Sequence, residues 1–168
     1  MSGAKPAFED LYREYLGRIY AFLRSQLGNA PDAEDVTSQV FMKAFEAYSR
    51  FEPRHASPAA WLFQIARNAA LDHYRRAGRL ERTERALARE PAPSIDPGTV
   101  AQERMLYREL MEAVARLPDR HREVIGLRHS GLSFQEVGGV MGCSEDAAKM
   151  LYHRALKALR AAVPEETP

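Results

Sequence analysis

Nine residues near the middle of the chain place the first constraint on its fold. The segment from Glu90 to Gly98 reads EPAPSIDPG and holds three prolines and one glycine. Proline fixes the backbone φ angle and removes an amide donor, so a helix does not continue through such a segment. The segment therefore predicts a linker that divides the 168 residues into two folded halves.

The half before this linker has the spacing of amphipathic helices. Apolar residues recur three or four apart from Phe8 to Leu23, and Gly28 ends the pattern. A second helix is predicted from Asp32 to about Arg50. A third is predicted from Ser57-Pro58, a cap followed by a proline in the first helical position, toward Arg76.

The half after the linker is predicted to be helical as well. One helix is expected from about Thr99 to Leu117, and a shorter one from Pro118 to about His129. The inward face of the first is predicted to carry Leu106, Leu110, Val114 and Leu117. No segment shows the period-two alternation typical of strands, so the expected fold class is all-α, with two small helical domains.

The most specific pattern lies between Ser133 and Arg160. Ser133 and Glu136 have the spacing of a capping box, which starts a short helix. A turn at residues 142–144 follows, and then a second helix whose outer face is basic. Gly138 stands where two such helices would cross closely. The pattern predicts a helix-turn-helix that reads a DNA major groove, with an ordinary helical hairpin as the alternative.

Charge is informative through its distribution, because 24 Lys and Arg against 23 Asp and Glu leave a net charge of only +1. Residues 32–46 are mainly acidic, whereas residues 67–79 and 149–160 are mainly basic. The basic third helix lies near aromatic residues, as in single-strand DNA sites. From the residues alone, a core position for Trp61 and solvated charged faces explain the same pattern.

Several classes of function have no support in the sequence. Cys143 is the only cysteine, and the five histidines lack metal-ligand spacing. The glycines at 138, 139 and 142 follow no predicted strand, so they do not form a phosphate-binding loop. Apolar runs are too short to cross a bilayer, and no secretory core stands at the N-terminus. We expect a cytoplasmic protein with no catalytic residues, metal, cofactor, small-molecule substrate or membrane insertion.

Three motifs in order resemble a known family. They are DAEDVTSQVFMKAF, AAWLFQIARNAALDHYRR and the segment from ARLPDRHREVIGLRH to YHRALKALR. Together they resemble a bacterial sigma factor of the extracytoplasmic-function (ECF) group. The resemblance implies sigma region 2 in residues 1–79, a flexible linker in 80–104, the region 4 helix-turn-helix in 105–163, and a short tail in 164–168.

The resemblance also implies a role for particular residues. The second helix would dock on core RNA polymerase through Glu34, Asp35, Gln39 and Met42. The loop and third helix would recognise and open the −10 promoter element through Phe51, His55, Trp61, Asn68, Asp72, Arg75, Arg76 and Arg79. The helix-turn-helix would read the −35 element through Ser133, Phe134, Gln135, Glu145, Asp146, Lys149, His153, Arg154 and Lys157.

Two departures from the family pattern qualify this expectation. Ser38-Gln39 stands where the family usually has Gln-Glu, which removes one acidic contact to the polymerase. Met150-Leu151 stands where Ser-Arg is common, and an arginine on guanine contributes about 1–3 kcal/mol of discrimination. We therefore expect a −35 preference that depends more on Glu145, Asp146, Lys149 and His153.

The expected partners are bacterial core RNA polymerase, promoter DNA and an anti-sigma factor. Two modules on a tether can also close on each other, so we expect negligible DNA binding by the free chain and strong binding once the polymerase is present. A free-standing helix-turn-helix regulator and a small helical enzyme are the competing hypotheses. A free-standing regulator has no need of an acidic helix followed by a basic, aromatic helix. A small helical enzyme would need a catalytic constellation, and the sequence shows none.

Overall fold

A computed structural model describes residues 4–87 and 101–163, with side chains described for 4–77 and 101–163. In the N-terminal half, α1 spans Phe8–Leu27, α2 spans Ala30–Ala47 and a 3₁₀ turn spans Tyr48–Arg50. The long α3 follows at Pro58–Leu87. The C-terminal half holds α4 (Ala101–Arg116), α5 (Asp119–His129), α6 (Phe134–Met141) and α7 (Glu145–Ala162). The predicted all-α fold is confirmed over the described residues.

The helix boundaries follow local capping chemistry. Gly28 ends α1 in the left-handed region with φ of 83°, a conformation that residues other than glycine rarely adopt. α2 begins two residues earlier than predicted, because the Asn29 side chain accepts a hydrogen bond from the Asp32 amide at 2.9 Å. Ser57 caps α3 by accepting from the Ala60 amide at 3.1 Å, as predicted.

The predicted linker covers parts of two helices. Residues 80–87 continue α3, and residues 101–104 belong to the first turns of α4. The proline-rich segment Glu90–Gly98 and the tail 164–168 lie outside the described residues. The exact limits of the two domains stay a prediction.

One hydrophobic core joins the two halves. Phe22 and Phe63 in the N-terminal half are fully buried with ring centroids 5.6 Å apart. Val124, Leu127 and Val137 in the C-terminal half belong to the same cluster of buried residues. Burying this apolar surface is the main favourable term in folding, and here it also draws the two halves together.

The first half of α4 differs from the prediction. Val114 and Leu117 are buried as expected, but Leu106 is 42% exposed and Leu110 is 41% exposed. Helical spacing correctly places these four residues near one side of the helix. The prediction that Leu106 and Leu110 face inward was wrong, because the described residues do not cover that end of α4.

Candidate nucleic-acid interface

The helix-turn-helix consists of α6, the turn at residues 142–144 and α7. The capping box is formed in both directions: Glu136 N donates to Ser133 Oγ at 3.1 Å, and Ser133 N donates to Glu136 Oε1 at 3.0 Å. Gly142 makes the turn with φ of 73°, and Ser144 caps α7 by accepting from the Ala147 amide. These local bonds fix how α7 leaves the turn.

Gly138 lets the two helices cross at close range. A Cβ atom at this position would lie 2.6 Å from the backbone oxygen of Cys143, which is closer than real Cβ contacts allow. The prediction that a small residue is needed here is confirmed. Cys143 itself is partly buried in the turn.

The outer face of α7 is open to solvent. The predicted contact residues on this helix are all exposed: Glu145, Asp146, Lys149, His153, Arg154 and Lys157. The inner face packs through Ala148 and Ala155, which are completely buried. A helix that is anchored by alanines and presents a mixed, largely basic outer face has the form of a major-groove reader.

The start of α6 is less exposed to solvent than the outer face of α7. Ser133 and Gln135 are exposed, but Phe134 is only partly so. The Phe134 ring lies under the Arg128 guanidinium, 4.6 Å from its Cζ atom, and 5.4 Å from the Tyr152 ring. Phe134 therefore packs between the helices as well as standing at the predicted DNA surface.

A second exposed surface lies on α3 and the loop before it. Asn68, Arg75 and Arg76 are exposed, and Asp72 is partly exposed with Arg75 Nη1 at 3.8 Å from its carboxylate. The helix backbone continues through Arg79, whose side chain lies outside the described residues. The exposed guanidiniums of Arg75 and Arg76 thus form a basic strip on α3.

The loop at residues 51–57 presents charged side chains to solvent. The side chains of Arg54 and His55 are 73% and 72% exposed. The Glu52 carboxylate contacts both, at 2.7 Å from Arg54 Nε and 3.2 Å from His55 Nε2. His55 is therefore placed where a nucleic acid could reach it.

The aromatic residues at this surface are largely packed together. Phe51 is only 6% exposed, and its ring centroid lies 4.6 Å from that of the partly buried Trp61. Both rings also lie against Tyr48, at 5.9 Å. Trp61 thus belongs to the packed layer, as its interpretation as a core residue predicted. Direct DNA contact by Phe51 and Trp61 stays a prediction.

A third exposed surface follows one face of α2. The predicted docking residues Glu34, Asp35, Gln39 and Met42 are all exposed, as is Ser38 beside them. Phe45 extends this face with 66% of its surface exposed, next to Met42 at 65%. Sequence reasoning did not name Phe45, although its position three residues after Met42 was a usable signal. Exposed apolar residues on a polar face are typical of protein-binding sites.

Hydrogen bonds and an ion pair join the halves at what we call the junction. Arg67 Nε of α3 lies 2.9 Å from Glu123 Oε2 of α5, and Arg18 Nε of α1 donates to the Ser130 carbonyl at 2.9 Å. Gln26 Nε2 donates to the Arg122 carbonyl at 3.2 Å. An open cavity of about 380 Å³ is lined by residues of the Arg67–Glu123 and Gln26–Arg122 contacts.

One further bond connects the two predicted DNA surfaces. Ser57 Oγ, at the end of the 51–57 loop, donates a hydrogen bond to Glu136 Oε2 in the capping box. Burial acts to raise the pKa of Glu136, but bonds from Ser57 and Ser133 and the Arg18 charge lower it overall. The carboxylate is therefore ionised at neutral pH, and it accepts from both halves of the chain.

Metal sites and membrane spans have no support in the described residues. Over that part of the chain no group of three or more His, Cys, Asp or Glu side chains is placed to hold a metal ion. No helix in the described ranges has the length and apolar character needed to cross a membrane.

Known families and proteins match this chain along most of its length. Models of sigma-70 region 2 and sigma-70 region 4 match residues 11–80 and 113–161. The ECF RNA polymerase sigma factor BldN of Streptomyces coelicolor is 32% identical over 167 residues, which cover 98% of this chain and 63% of BldN. The RNA polymerase sigma factor CarQ of Myxococcus xanthus is 34% identical over 164 residues, which cover 94% of this chain and 90% of CarQ.

A solved structure has the same fold. The sigma factor RpoE, in complex with the anti-sigma factor NepR from Bartonella quintana, matches with a TM-score of 0.77. The match covers 95% of this chain and 98% of RpoE at 24% identity, so the likeness concerns the fold. This chain spans less than two thirds of the length of BldN.

Proposed function

The chain belongs to the ECF group of RNA polymerase sigma factors, and on that premise we propose that it binds bacterial core RNA polymerase and directs transcription from particular promoters. In this proposal it acts in the cytoplasm as a specificity subunit and carries out no catalysis of its own. It recognises the −35 element as duplex DNA and helps to open the −10 element.

The observation that carries the proposal is that one chain presents three exposed faces of different character. The α2 face is acidic and apolar, the α3 strip is basic, and the α7 face is mixed but largely basic. A free-standing DNA-binding regulator needs only the last of these. A subunit that docks on an enzyme and contacts DNA at two places needs all three.

Polymerase docking is assigned to the exposed face of α2. Asp35 and Gln39 lie one turn apart, and Met42 and Phe45 continue the same side of the helix. The acidic residues would steer the approach toward a basic partner surface, and the two apolar side chains would supply buried area. This arrangement supports docking even with Ser38-Gln39 in place of the usual Gln-Glu, which removes one acidic contact.

Opening of the −10 element is assigned to the loop and α3. The exposed Arg75 and Arg76 are positioned to contact phosphates, while His55 and Asn68 can donate to exposed base edges. A base that leaves the stack costs a few kcal/mol, which contacts in a fitted site offset. The packed pair Phe51 and Trp61 would form the floor of such a site.

Recognition of the −35 element is assigned to α7. Its first residues, Glu145 and Asp146, can accept from cytosine amino groups, and Lys149 and His153 follow one and two turns later. Arg154 and Lys157 lie further along the exposed face, where they can contact phosphates. We propose that this set gives a preference different from the family's common one.

The docked arrangement of the halves is proposed to be a resting state. Elements near −35 and −10 lie roughly 80 Å apart along B-form DNA at about 3.4 Å per base pair. The Ser57–Glu136 bond instead holds the two predicted DNA surfaces side by side. The halves must therefore part before both elements are bound, so the free chain is expected to bind promoter DNA weakly.

An anti-sigma factor is proposed to stabilise this docked state. The support is that RpoE, which shares the fold, was solved with the anti-sigma factor NepR. Any protein that binds the docked state and not the open one shifts the population by its difference in affinity.

Run-off transcription tests the proposal. Core RNA polymerase with this chain should transcribe a subset of a randomised promoter library, and the products should share sequence in the −35 and −10 regions. The matched control is the same core enzyme alone, which should give no such enrichment. Equal products with and without the chain would contradict the proposed function.

A further inference from the structure

The residues that precede α1 fold back onto the end of α2. Lys5 Nζ donates a hydrogen bond to the carbonyl oxygen of Tyr48, and it also lies over the Tyr48 ring, 4.4 Å from the centroid. The Tyr48 hydroxyl donates to the Pro6 carbonyl. The tyrosine is thus held at its backbone, its ring and its hydroxyl by two residues that lie more than forty positions earlier.

Tyr48 in turn contacts both ends of the 51–57 loop. The Phe51 amide donates to the Tyr48 carbonyl at 3.1 Å, and the two rings stack at 5.9 Å with an interplanar angle of 18°. Trp61, in the first turns of α3, lies 5.9 Å from the Tyr48 ring. Phe51 begins the loop and Trp61 follows it, so Tyr48 contacts the chain at the start of the loop and just after its end.

We infer that Tyr48, fixed by Lys5 and Pro6, is a positioning residue that holds the 51–57 loop in the form needed to open the −10 element. The inference rests on the proposed function, since that loop carries His55. It adds a role for a tyrosine and an N-terminal segment that the sequence motifs did not single out.

The contacts of Tyr48 are suited to this role because they lie within one half of the chain. When the halves part, the loop loses the Ser57–Glu136 bond, whereas the contacts of Lys5 and Pro6 with Tyr48 remain. Burial and the nearby Asp10 carboxylate raise the pKa of Tyr48, so its hydroxyl keeps the donated proton at neutral pH. The loop would keep its shape in the open, polymerase-bound state.

The single tryptophan of the chain allows a direct test of loop packing. Tyr48→Phe keeps the ring and removes the hydroxyl, and Lys5→Ala removes the cation. Both should shift Trp61 emission to longer wavelength and increase its quenching by acrylamide. Arg13→Ala is the matched control, since it removes an exposed cation on α1, and it should leave Trp61 emission unchanged.

Transcription then tests the positioning role. With core RNA polymerase, Tyr48→Phe should lower run-off from a duplex promoter about 5-fold, the size expected from one net hydrogen bond. The loss should shrink on a template that is already unpaired at −10, and Lys5→Arg should restore what Lys5→Ala loses. A defect in folding would instead lower both templates equally.

The outcomes separate this inference from the proposed function. If the unaltered chain gives no promoter-specific transcription, the proposed function fails whatever Trp61 reports. If the unaltered chain is active and both variants match Arg13→Ala in fluorescence, or in the ratio of duplex to pre-opened product, the positioning role is overturned.

Discussion

Arg67 of α3 and Glu123 of α5 form an ion pair across the junction, with 2.9 Å between Nε and Oε2 and with only 19% and 10% of their side chains exposed. Arg67 belongs to the basic stretch of α3, yet its guanidinium faces the C-terminal half while Arg75 and Arg76 face solvent. One helix therefore divides its arginines between an internal contact and the predicted DNA surface.

Removing one partner of this pair should loosen the docked state. Glu123→Gln leaves the Arg67 charge poorly solvated at the junction. The association of the two halves should therefore weaken by about 3 kcal/mol. Small-angle X-ray scattering should then give a larger radius of gyration. Glu14→Gln, an exposed acid on α1, is the control that should leave the scattering unchanged. Identical scattering from both variants would show that this pair does not hold the halves together.

Two adjacent glycines in α6 should respond in opposite directions to the same substitution. Gly138→Ala places a methyl group 2.6 Å from the Cys143 carbonyl oxygen, so the helix crossing must shift and the melting temperature should fall. A methyl group at Gly139 would meet nothing within 4 Å, so Gly139→Ala should stabilise the helix by about 0.5–1 kcal/mol. Thermal unfolding followed by circular dichroism compares them. Equal effects of the two would refute the close crossing.

The basic strip of α3 should reveal itself in the salt dependence of promoter binding. Arg75→Ala and Arg76→Ala should each reduce the slope of log affinity against log salt by about one unit, the change expected when one phosphate contact is lost. Fluorescence anisotropy of the complete polymerase complex on labelled promoter DNA measures this slope. Arg13→Ala should keep it. Parallel salt plots for all the proteins would mean that these arginines do not contact phosphate.

Met150 should influence the choice of −35 sequence. Its side chain is 56% exposed on the α7 face between Lys149 and His153, where an apolar group can contact a thymine methyl. Met150→Arg should shift the selected sequences toward guanine at one position, with discrimination of about 1–3 kcal/mol. Selection from a randomised promoter pool with the complete polymerase complex measures the change. An unaltered consensus would place Met150 away from the bases.

Local signals in the sequence predicted local structure well. Gly28, Ser57 and Ser133 end or begin helices where expected, since capping depends on residues only a few positions apart. The exposed face of α7 followed from the same periodicity. These features required no knowledge of what packs against the helix.

Long-range relationships could not be predicted in this way. Leu106 has helical spacing with buried Val114, but spacing does not state whether another element covers that end of α4. The Arg67–Glu123 pair joins residues 56 positions apart, and Gln26 donates to the carbonyl of Arg122, 96 positions later. Which arginine turns inward depends on tertiary packing rather than on local pattern.

Co-elution of the purified chain with bacterial core RNA polymerase on a size-exclusion column tests the proposed polymerase binding. We expect a complex with one chain per polymerase, and Glu123→Gln should form it at least as readily because its halves part more easily. If neither the unaltered chain nor Glu123→Gln co-elutes with active core polymerase, docking through α2 is contradicted.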